Sequence, residues 1–204
     1  MPSIQVVSAI CGNWWQESTM NPGIWEGLNV GNWTDQYVGF GLGQWTNVGT
    51  NYGRLYNLHD YAVNNGFTES DPQCQLSFFS YENYWSTGYS TPYNSLSDFL
   101  NSTSTDVEML AEYFCKGWEG IVDSSMSTRK TTASNCLQYI LTHYNDTNIT
   151  TWYVSNNFLS DSERYNNAVL LARYLMGGQP IPPMPYTTRR KMPLWMMLRK
   201  RRIW

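Results

Sequence analysis

Apolar side chains recur along this chain with the period of α-helices, and short runs of turn residues separate the periodic stretches. The first stretch, from Ile4 to Thr19, places its apolar residues on one helical face, and Asn21-Pro22-Gly23 then stops the helix. Further stretches predict helices over residues 52–64, from Asp71-Pro72 onward, from residue 105 or 106, over residues 128–144 and from residue 160 to residue 176. The pattern therefore predicts a mainly α fold.

One region lacks the helical period. Between Leu28 and Gln44 the periodicity is lost and glycines become frequent, at Gly31, Gly39, Gly41 and Gly43, with Gly27 just before. Short strands joined by glycine-containing turns have this composition. The region predicts a small β-hairpin or an irregular lobe beside the helices.

The length of the chain limits how many domains it can form. With 204 residues it can bury one good hydrophobic core but not two large ones. We predict a main helical domain over residues 1–145 and a helical extension over residues 146–176. Residues 177–188 contain four of the nine prolines and indicate a stiff, extended linker, which leads to a basic tail over residues 189–204.

Composition and charge narrow the class of ligand. Only 14% of the residues are charged, while the chain has ten Trp and fifteen Tyr, so its polar surface suits neutral, hydroxyl-rich ligands such as sugars. All sixteen acidic residues and six of the thirteen basic ones precede residue 189, and the other seven basic residues lie in the tail. An acidic body disfavours nucleic-acid binding. The tail is interpreted as a membrane-surface segment, a docking segment or a disordered end.

Several other classes of protein are disfavoured. No apolar run approaches the roughly 20 residues that span a bilayer, and the N-terminus lacks a secretory signal, so we expect a soluble protein made in a reducing cytosol. The four cysteines are then expected to be free, with Cys11, Cys115 and Cys136 buried on helical faces. Neither zinc-ligand spacing nor a phosphate-binding loop is present, so we expect no metal and no cofactor.

Glu17 is the strongest candidate for chemistry. It follows Trp14 by three positions and Ile10 by seven, which puts it on or beside the face that packs into the core. It also lies in the last turn of its helix, where the dipole is negative. Burial and the dipole both favour a neutral carboxyl group and predict a raised pKa. A carboxylic acid held neutral near working pH is what protonation of a glycosidic oxygen requires.

The surroundings of Glu17 resemble the signature of the phage tail lysozyme family, within the superfamily of goose-type lysozymes and soluble lytic transglycosylases. The segment Gly12-Asn-Trp-Trp-Gln-Glu-Ser-Thr-Met-Asn-Pro22 ends a helix in Glu-Ser before an Asn-Pro loop, and Gly39-Phe-Gly-Leu-Gly-Gln-Trp-Thr46 follows as the glycine-rich turn. A weaker match is Phe114 to Glu119 with Arg129 downstream, although Gly120-Ile121 departs from the family pattern. The resemblance covers roughly residues 5–145. It implies a lysozyme-like fold and a peptidoglycan-cleaving enzyme with Glu17 as its catalytic acid.

The other site residues are less well determined. Gln44 offers an amide for sugar hydroxyl or acetamido groups, Trp45 offers a ring face for stacking, and Tyr37 lies nearby. Glu119 is expected to organise the cleft through hydrogen bonds. Asp35 is the candidate for a second catalytic acid, with Glu26 and Glu119 as alternatives.

Asp35 has a competing interpretation as a loop residue that bonds its own backbone. If the enzyme uses no second acid, it resembles a lytic transglycosylase, in which the muramoyl hydroxyl group attacks. We also expect Trp14 and Trp118 inside the core.

Taken together, the sequence predicts a virion-associated glycosidase that cleaves the glycan backbone between N-acetylmuramic acid and N-acetylglucosamine during phage entry. Its partners would be peptidoglycan and other tail proteins, the latter docked through residues 189–204. Two alternatives remain open. One is a catalytically silent carbohydrate-binding or structural tail component, and the other is an endolysin that acts at lysis.

Overall fold

The computed structural model describes residues 1–177, which form seven α-helices and one two-stranded antiparallel hairpin. The linker beyond Gly177 and the basic tail, including the predicted docking segment 189–204, lie outside the described residues. The elements are α1 (Ile4–Ser18), β1 (Gly39–Phe40), β2 (Trp45–Thr46), α2 (Arg54–Asn65), α3 (Pro72–Glu82), α4 (Leu96–Leu100), α5 (Val107–Phe114), α6 (Met126–His143) and α7 (Asp161–Gly177). The predicted mainly α class is confirmed.

Helix α1 is the central element. Ser3 accepts a hydrogen bond from the Val6 amide at 3.3 Å and caps its start, and Thr19, in the left-handed region at φ 55°, ends it. Every residue from Val6 to Trp14 is buried, so the helix is enclosed on all sides instead of presenting one face to the core. A helix that is buried all round must pack against neighbours on several sides. Helices α5, α6 and α7 supply these neighbours.

The contact between α1 and α6 depends on a glycine. A Cβ atom at Gly12 would lie 2.5 Å from the carbonyl oxygen of Arg129 and 2.7 Å from the Cβ of Ala133. Only a residue without a side chain lets the two helices approach this closely. Gly12 therefore determines how Arg129 of α6 is placed against α1.

The predicted hairpin is confirmed in the glycine-rich region. Gly39 pairs with Thr46 and Phe40 pairs with Trp45. The turn between the strands is held by the buried side chain of Gln75 in α3, which accepts from the Leu42 amide at 2.8 Å and donates to the Pro22 carbonyl at 2.7 Å. The hairpin is thereby tied both to α3 and to the loop that follows α1.

Local signals determine most helix boundaries. Asp71 caps α3 with Pro72 in the first turn, Gly66 ends α2 in the left-handed region, and Asp106 caps α5. Glu163 accepts from the Ser160 amide at 2.7 Å, as the predicted capping box of α7 requires. The short helix α4 and a π-helical turn over Cys115–Glu119 were not predicted.

Residues 146–177 pack on the same core as the preceding helices. Ala168 to Ala172 of α7 belong to the buried cluster that contains α1. Asn21, in the loop after α1, donates to the carbonyls of Ser155 and Asn157 at 2.9 and 2.8 Å, and Asn167 of α7 donates to the Met20 carbonyl at 2.8 Å. The extension therefore holds the loop that follows Glu17. The division into domains at residue 145 stays a prediction.

The interior is aromatic and contains free thiols. Trp14 and Trp118 are fully buried, as predicted, with their ring centroids 5.8 Å apart. All four cysteines are buried and free. None of the helices within residues 1–177 is both long and apolar enough to cross a membrane.

Candidate active site

A cleft of about 480 Å³ separates the end of α1 from the hairpin and the start of α2. Three carboxylic acids line it, one of them from the hairpin side. The lining residues with functional groups that matter here are Glu17, Glu26, Gln44, Arg54, Tyr84 and Glu119. The structure therefore brings together Glu17, Gln44 and Glu119 from the predicted site.

Glu17 reaches the cleft from the last turn of α1, with 21% of its side chain exposed. Its carboxylate accepts a hydrogen bond from Nη2 of Arg129 at 2.5 Å. The expectation from sequence considered only burial and the helix dipole, which favour the neutral acid. The structure adds a guanidinium group in contact with the carboxylate, which that expectation did not include.

Arg129 is a buried cation, only 2% exposed. Its Nε donates to Ser125 Oγ at 2.9 Å and its Nη1 donates to Asn13 Oδ1 at 3.2 Å, while Asp123 lies 3.7 Å away. Burial lowers the pKa of Arg129, but the charge and hydrogen bond of Glu17, together with the nearby Cys115 and Glu119, raise it above its ordinary value. Arg129 stays charged and fixes the position of the Glu17 carboxylate.

Glu119 is the carboxyl group with the driest environment in the cleft. It ends the π-helical turn, just before Gly120, which takes the left-handed conformation at φ 69°. Its Oε1 atom is buried and has no hydrogen-bond partner within residues 1–177. Burial, and then the charge of Glu17, raise the pKa of Glu119 well above its ordinary value, although Arg129 and Arg54 oppose the shift. The surroundings of Glu119 therefore favour its neutral form.

Glu26 stands on the opposite wall, in a short helical turn (Glu26–Leu28) before β1. Its Oε2 atom accepts a hydrogen bond from the Gly39 amide at 2.9 Å, and the residue is exposed. An exposed carboxylate fixed by one backbone amide keeps its other oxygen free for a ligand. The sequence reasoning held Glu26 only as an alternative.

Asp35 does not line the cleft. Its Oδ2 atom accepts from the Asn32 amide at 2.7 Å, and its own amide donates to the Asn32 carbonyl at 2.9 Å. These bonds close a turn in the loop before β1, as the competing interpretation of a loop aspartate predicts. Among the acids of the hairpin lobe, Glu26 and not Asp35 faces Glu17 across the cleft.

The predicted sugar-binding residues have different environments. Gln44 lines the cleft, and its amide nitrogen donates to the Gly41 carbonyl at 3.0 Å. Trp45 is 0% exposed and donates from Nε1 to Glu82 at 3.2 Å, so its ring offers no face to a sugar in this conformation. Tyr37 is 65% exposed and is not among the lining residues. The period-2 pattern of a hairpin places alternate side chains on opposite faces, which turns Trp45 into the core.

Arg54 and Tyr84 are site residues that the sequence reasoning missed. Arg54 donates to both carboxylate oxygens of Glu82, at 2.7 and 2.9 Å. Its guanidinium lies 4.2 Å from the ring centroid of Tyr84 and 4.4 Å from that of Trp118. The available signal was that Arg54 is the single Lys or Arg in the first 115 residues.

Enzymes that cleave glycosidic bonds with acidic side chains place carboxyl groups on both sides of the bond, as the two walls of this cleft would. The sequence profile of the phage tail lysozyme family matches residues 3–140 of the chain. The chain belongs to the phage tail lysozyme family. This membership assigns it a glycosidase activity of the lysozyme type on peptidoglycan and associates it with phage.

Proposed function

We propose that this protein is a phage tail enzyme that cleaves the glycan backbone of peptidoglycan between N-acetylmuramic acid and N-acetylglucosamine. The observation that carries the proposal is the position of Glu17, at the end of α1 in a cleft that also contains Glu26 and Gln44. Family membership over residues 3–140 supports the lysozyme type of activity. Glycosidic cleavage is common to the hydrolase and transglycosylase forms of the reaction.

In the proposed mechanism Glu17 donates its proton to the glycosidic oxygen as the carbon–oxygen bond breaks, and the departing sugar leaves as an alcohol. The positive charge that develops on the muramoyl ring is stabilised by a second carboxylate. We assign this second role to Glu26, because it is the exposed carboxylate across the cleft from Glu17. Asp35 is the alternative from the sequence.

The product depends on the attacking group. If Glu26 activates a water molecule or shields the cation until water attacks, the enzyme is a muramidase. If the 6-hydroxyl group of the muramoyl residue attacks, the product is a 1,6-anhydro sugar and no water is consumed. In either case Gln44 and Arg54 are among the polar groups of the cleft that can hydrogen-bond the glycan, with Tyr84 also in the lining.

The test is mass spectrometry of muropeptides released from purified peptidoglycan by the wild type and by Glu17→Gln. We expect release by the wild type and a loss of about 10²–10⁴-fold in the variant, because an amide cannot donate the proton. Glu112→Gln is the matched control, since Glu112 pairs with Lys116 and Lys130 and does not line the cleft.

The chemical form of the sugar at the ends of the released glycans distinguishes the possible reactions. Reducing muramic acid ends identify a muramidase and 1,6-anhydro ends identify a transglycosylase. New free amino groups without new sugar ends would contradict glycosidic cleavage. No release from several wall types would favour a catalytically silent carbohydrate-binding or structural tail component.

We further propose that the protein is made in the host cytoplasm, is carried by the virion and opens the wall during entry, docked to other tail proteins through residues 189–204. Family membership supports the association with phage. Mass spectrometry of purified virions tests this: detection of the chain supports the tail role, and its absence from virions combined with activity at lysis supports an endolysin. If the chain is truncated after Gly177 before assembly, the resulting virions should then lack the protein.

A further inference from the structure

Two carboxyl groups, those of Glu17 and Glu119, line the helical wall of the cleft, and their environments differ. Glu17 contacts the buried guanidinium of Arg129, whereas the Oε1 atom of Glu119 is buried and without a hydrogen-bond partner in residues 1–177. Both side chains line the same cleft. Two acids in one cleft interact through their charges. The apparent pKa values of their two deprotonation steps then describe the pair and not either residue alone.

The elements around the pair contribute further charged and titratable groups. Helix α6 and the loop before it contribute Arg129 and Asp123, which lie 3.7 Å apart. Helix α2 contributes Arg54, whose charge is largely offset by its bidentate contact with Glu82 of α3. Glu26 and Tyr84 line the cleft as well, and Cys115 begins the turn that carries Glu119. Arg129 is thus the one cation in this part of the structure that directly contacts either acid.

This arrangement leaves a difficulty for the proposed catalytic acid. The Glu17 carboxylate is in direct contact with the guanidinium of Arg129, while an acid catalyst must carry a proton at working pH. A second carboxyl group that cannot ionise easily beside an ionised neighbour resolves the difficulty, because it keeps a proton within the cleft.

We propose that Glu119 is a positioning residue that acts through Glu17, the two carboxyl groups sharing one proton that the pair retains to higher pH than Glu17 would retain it alone. The inference rests on the proposed function of Glu17 and deepens it. Burial of Glu119 and the negative charge of Glu17 make the second ionisation of the pair costly, which the raised pKa of Glu119 supports.

The proton balance of the step is simple. In the resting enzyme Glu119 is protonated and Glu17 is a carboxylate. When the glycan enters, the proton moves from Glu119 to Glu17, directly or through one water molecule, and Glu119 becomes the carboxylate. Glu17 then donates the proton to the glycosidic oxygen as the carbon–oxygen bond breaks. The attacking hydroxyl group, from water or from the muramoyl residue, returns one proton to the pair.

The kinetic test compares the pH profiles of kcat/KM for the wild type, Glu119→Gln and Glu112→Gln. We expect Glu119→Gln to move the basic limb to lower pH by about one unit or more, because the variant lacks the buried carboxyl group that holds the proton of the pair. At the acidic end of the profile kcat should return to within a few-fold of wild type, with KM little changed. Glu112→Gln should leave the profile unchanged.

A merely structural role for Glu119 gives a different result. It would lower kcat by the same factor at every pH and leave the basic limb in place, and that outcome would overturn the proposal. Retention of the wild-type profile by Glu119→Gln would overturn it as well.

A titration separates this proposal from the proposed function. Carbon-13 NMR of labelled glutamate carboxyl groups follows Glu119 in the wild type and in Glu17→Gln, whether or not either protein cleaves glycan. We expect the midpoint of Glu119 to fall when Glu17 loses its charge. An unchanged midpoint contradicts the shared proton, even if muropeptide release shows that Glu17 is the acid. A lowered midpoint without muropeptide release supports the pair and contradicts the glycosidase.

Discussion

The two walls of the cleft differ in the burial and the hydrogen-bond partners of their acidic side chains. On the helical wall, α1, α6 and the π-helical turn surround Glu17 and Glu119 with buried partners, of which Arg129 is only 2% exposed. On the hairpin wall, Glu26 is exposed and is fixed by a single backbone amide at 2.9 Å. Burial away from solvent shifts the pKa of a carboxyl group, and exposure to solvent shifts it much less. The helical wall therefore holds its acids among buried groups, whereas the hairpin wall leaves its acid exposed to solvent.

This difference in environment suits a glycosidase, because one carboxyl group must be protonated and another ionised at the same pH. The two walls are also built differently. The helical wall depends on long-range packing around Gly12, while the hairpin wall depends on short loops that Gln75 ties to the rest of the protein. Substitutions on either wall can therefore test the comparison.

The largest effect is expected at Arg129. Arg129→Met should lower the free energy of unfolding by about 3 kcal/mol, because it removes the cation from Glu17 and leaves the Asn13 and Ser125 acceptors without their donor. Urea denaturation at neutral pH measures the change. Lys130→Met is the control on the same helix: its partly exposed pair with Glu112 should contribute less than about 1 kcal/mol. Similar losses in both variants would contradict the distinction between a buried and a solvated pair.

The next effect is expected on the hairpin wall. Glu26→Gln should lower kcat by about 10²-fold while KM changes little, because the amide cannot stabilise the positive charge of the transition state. Rates of release from purified peptidoglycan measure it.

Asp35→Asn is the matched comparison for Glu26. Its activity should stay within about threefold of wild type, because asparagine can accept the same turn hydrogen bond. A greater loss at Asp35 than at Glu26 would assign the second acid to Asp35 after all. Full activity in both variants would favour the transglycosylase route.

A third effect concerns stability against pH. The pKa of Glu119 is raised in the folded protein, so its contribution to stability is fully present below the ordinary pKa of glutamate and is lost as pH rises through the raised value. In that window the free energy of unfolding should fall by up to about 1.4 kcal/mol per pH unit more in the wild type than in Glu119→Gln. Urea denaturation at a series of pH values measures how the free energy of unfolding depends on pH. The same dependence in both proteins would mean that the Glu119 carboxyl group is exposed to solvent.

The smallest effect is expected at the two tyrosines near the cleft. Tyr84→Ala should raise KM by about fivefold, since it removes an aromatic ring beside Arg54, whereas Tyr37→Ala should change KM less than about twofold. Binding of soluble glycan fragments to Glu17→Gln proteins carrying each second substitution gives the same comparison without turnover. A larger effect from Tyr37 would extend the glycan site over the outer side of the hairpin lobe.

Local signals in the sequence were sufficient for most of the fold. Asp71-Pro72 began a helix, Gly66 ended one, and the loss of period between Leu28 and Gln44 indicated the hairpin. Each of these features depends on neighbouring residues and on the conformations they permit. The π-helical turn at Cys115–Glu119 has no comparable local signature, since the spacing of Phe114 and Trp118 equally suits an ordinary helix.

For the candidate site, too, local sequence signals do not reveal contacts between distant residues. The sequence placed Glu17 at the end of a buried helix, because its spacing from Trp14 and Ile10 along the helix suffices for that inference. It did not show that Arg129, 112 residues away, contacts the carboxylate, or that the ring of Trp45 faces the core and not the cleft. Arg54 stood out only as an isolated cation, and its place between Tyr84 and Trp118 depends on three separate elements.

The sequence by itself determined most of the helical segments, several of their ends, and which residue most resembles a catalytic acid. Only the tertiary structure decided the surroundings of each carboxyl group, because burial and neighbouring charges are supplied by distant parts of the chain. Glu17 and Glu119 are both acidic side chains at or near helix ends in the sequence. Their difference arises from Arg129, which contacts one, and from the dry turn that encloses the other.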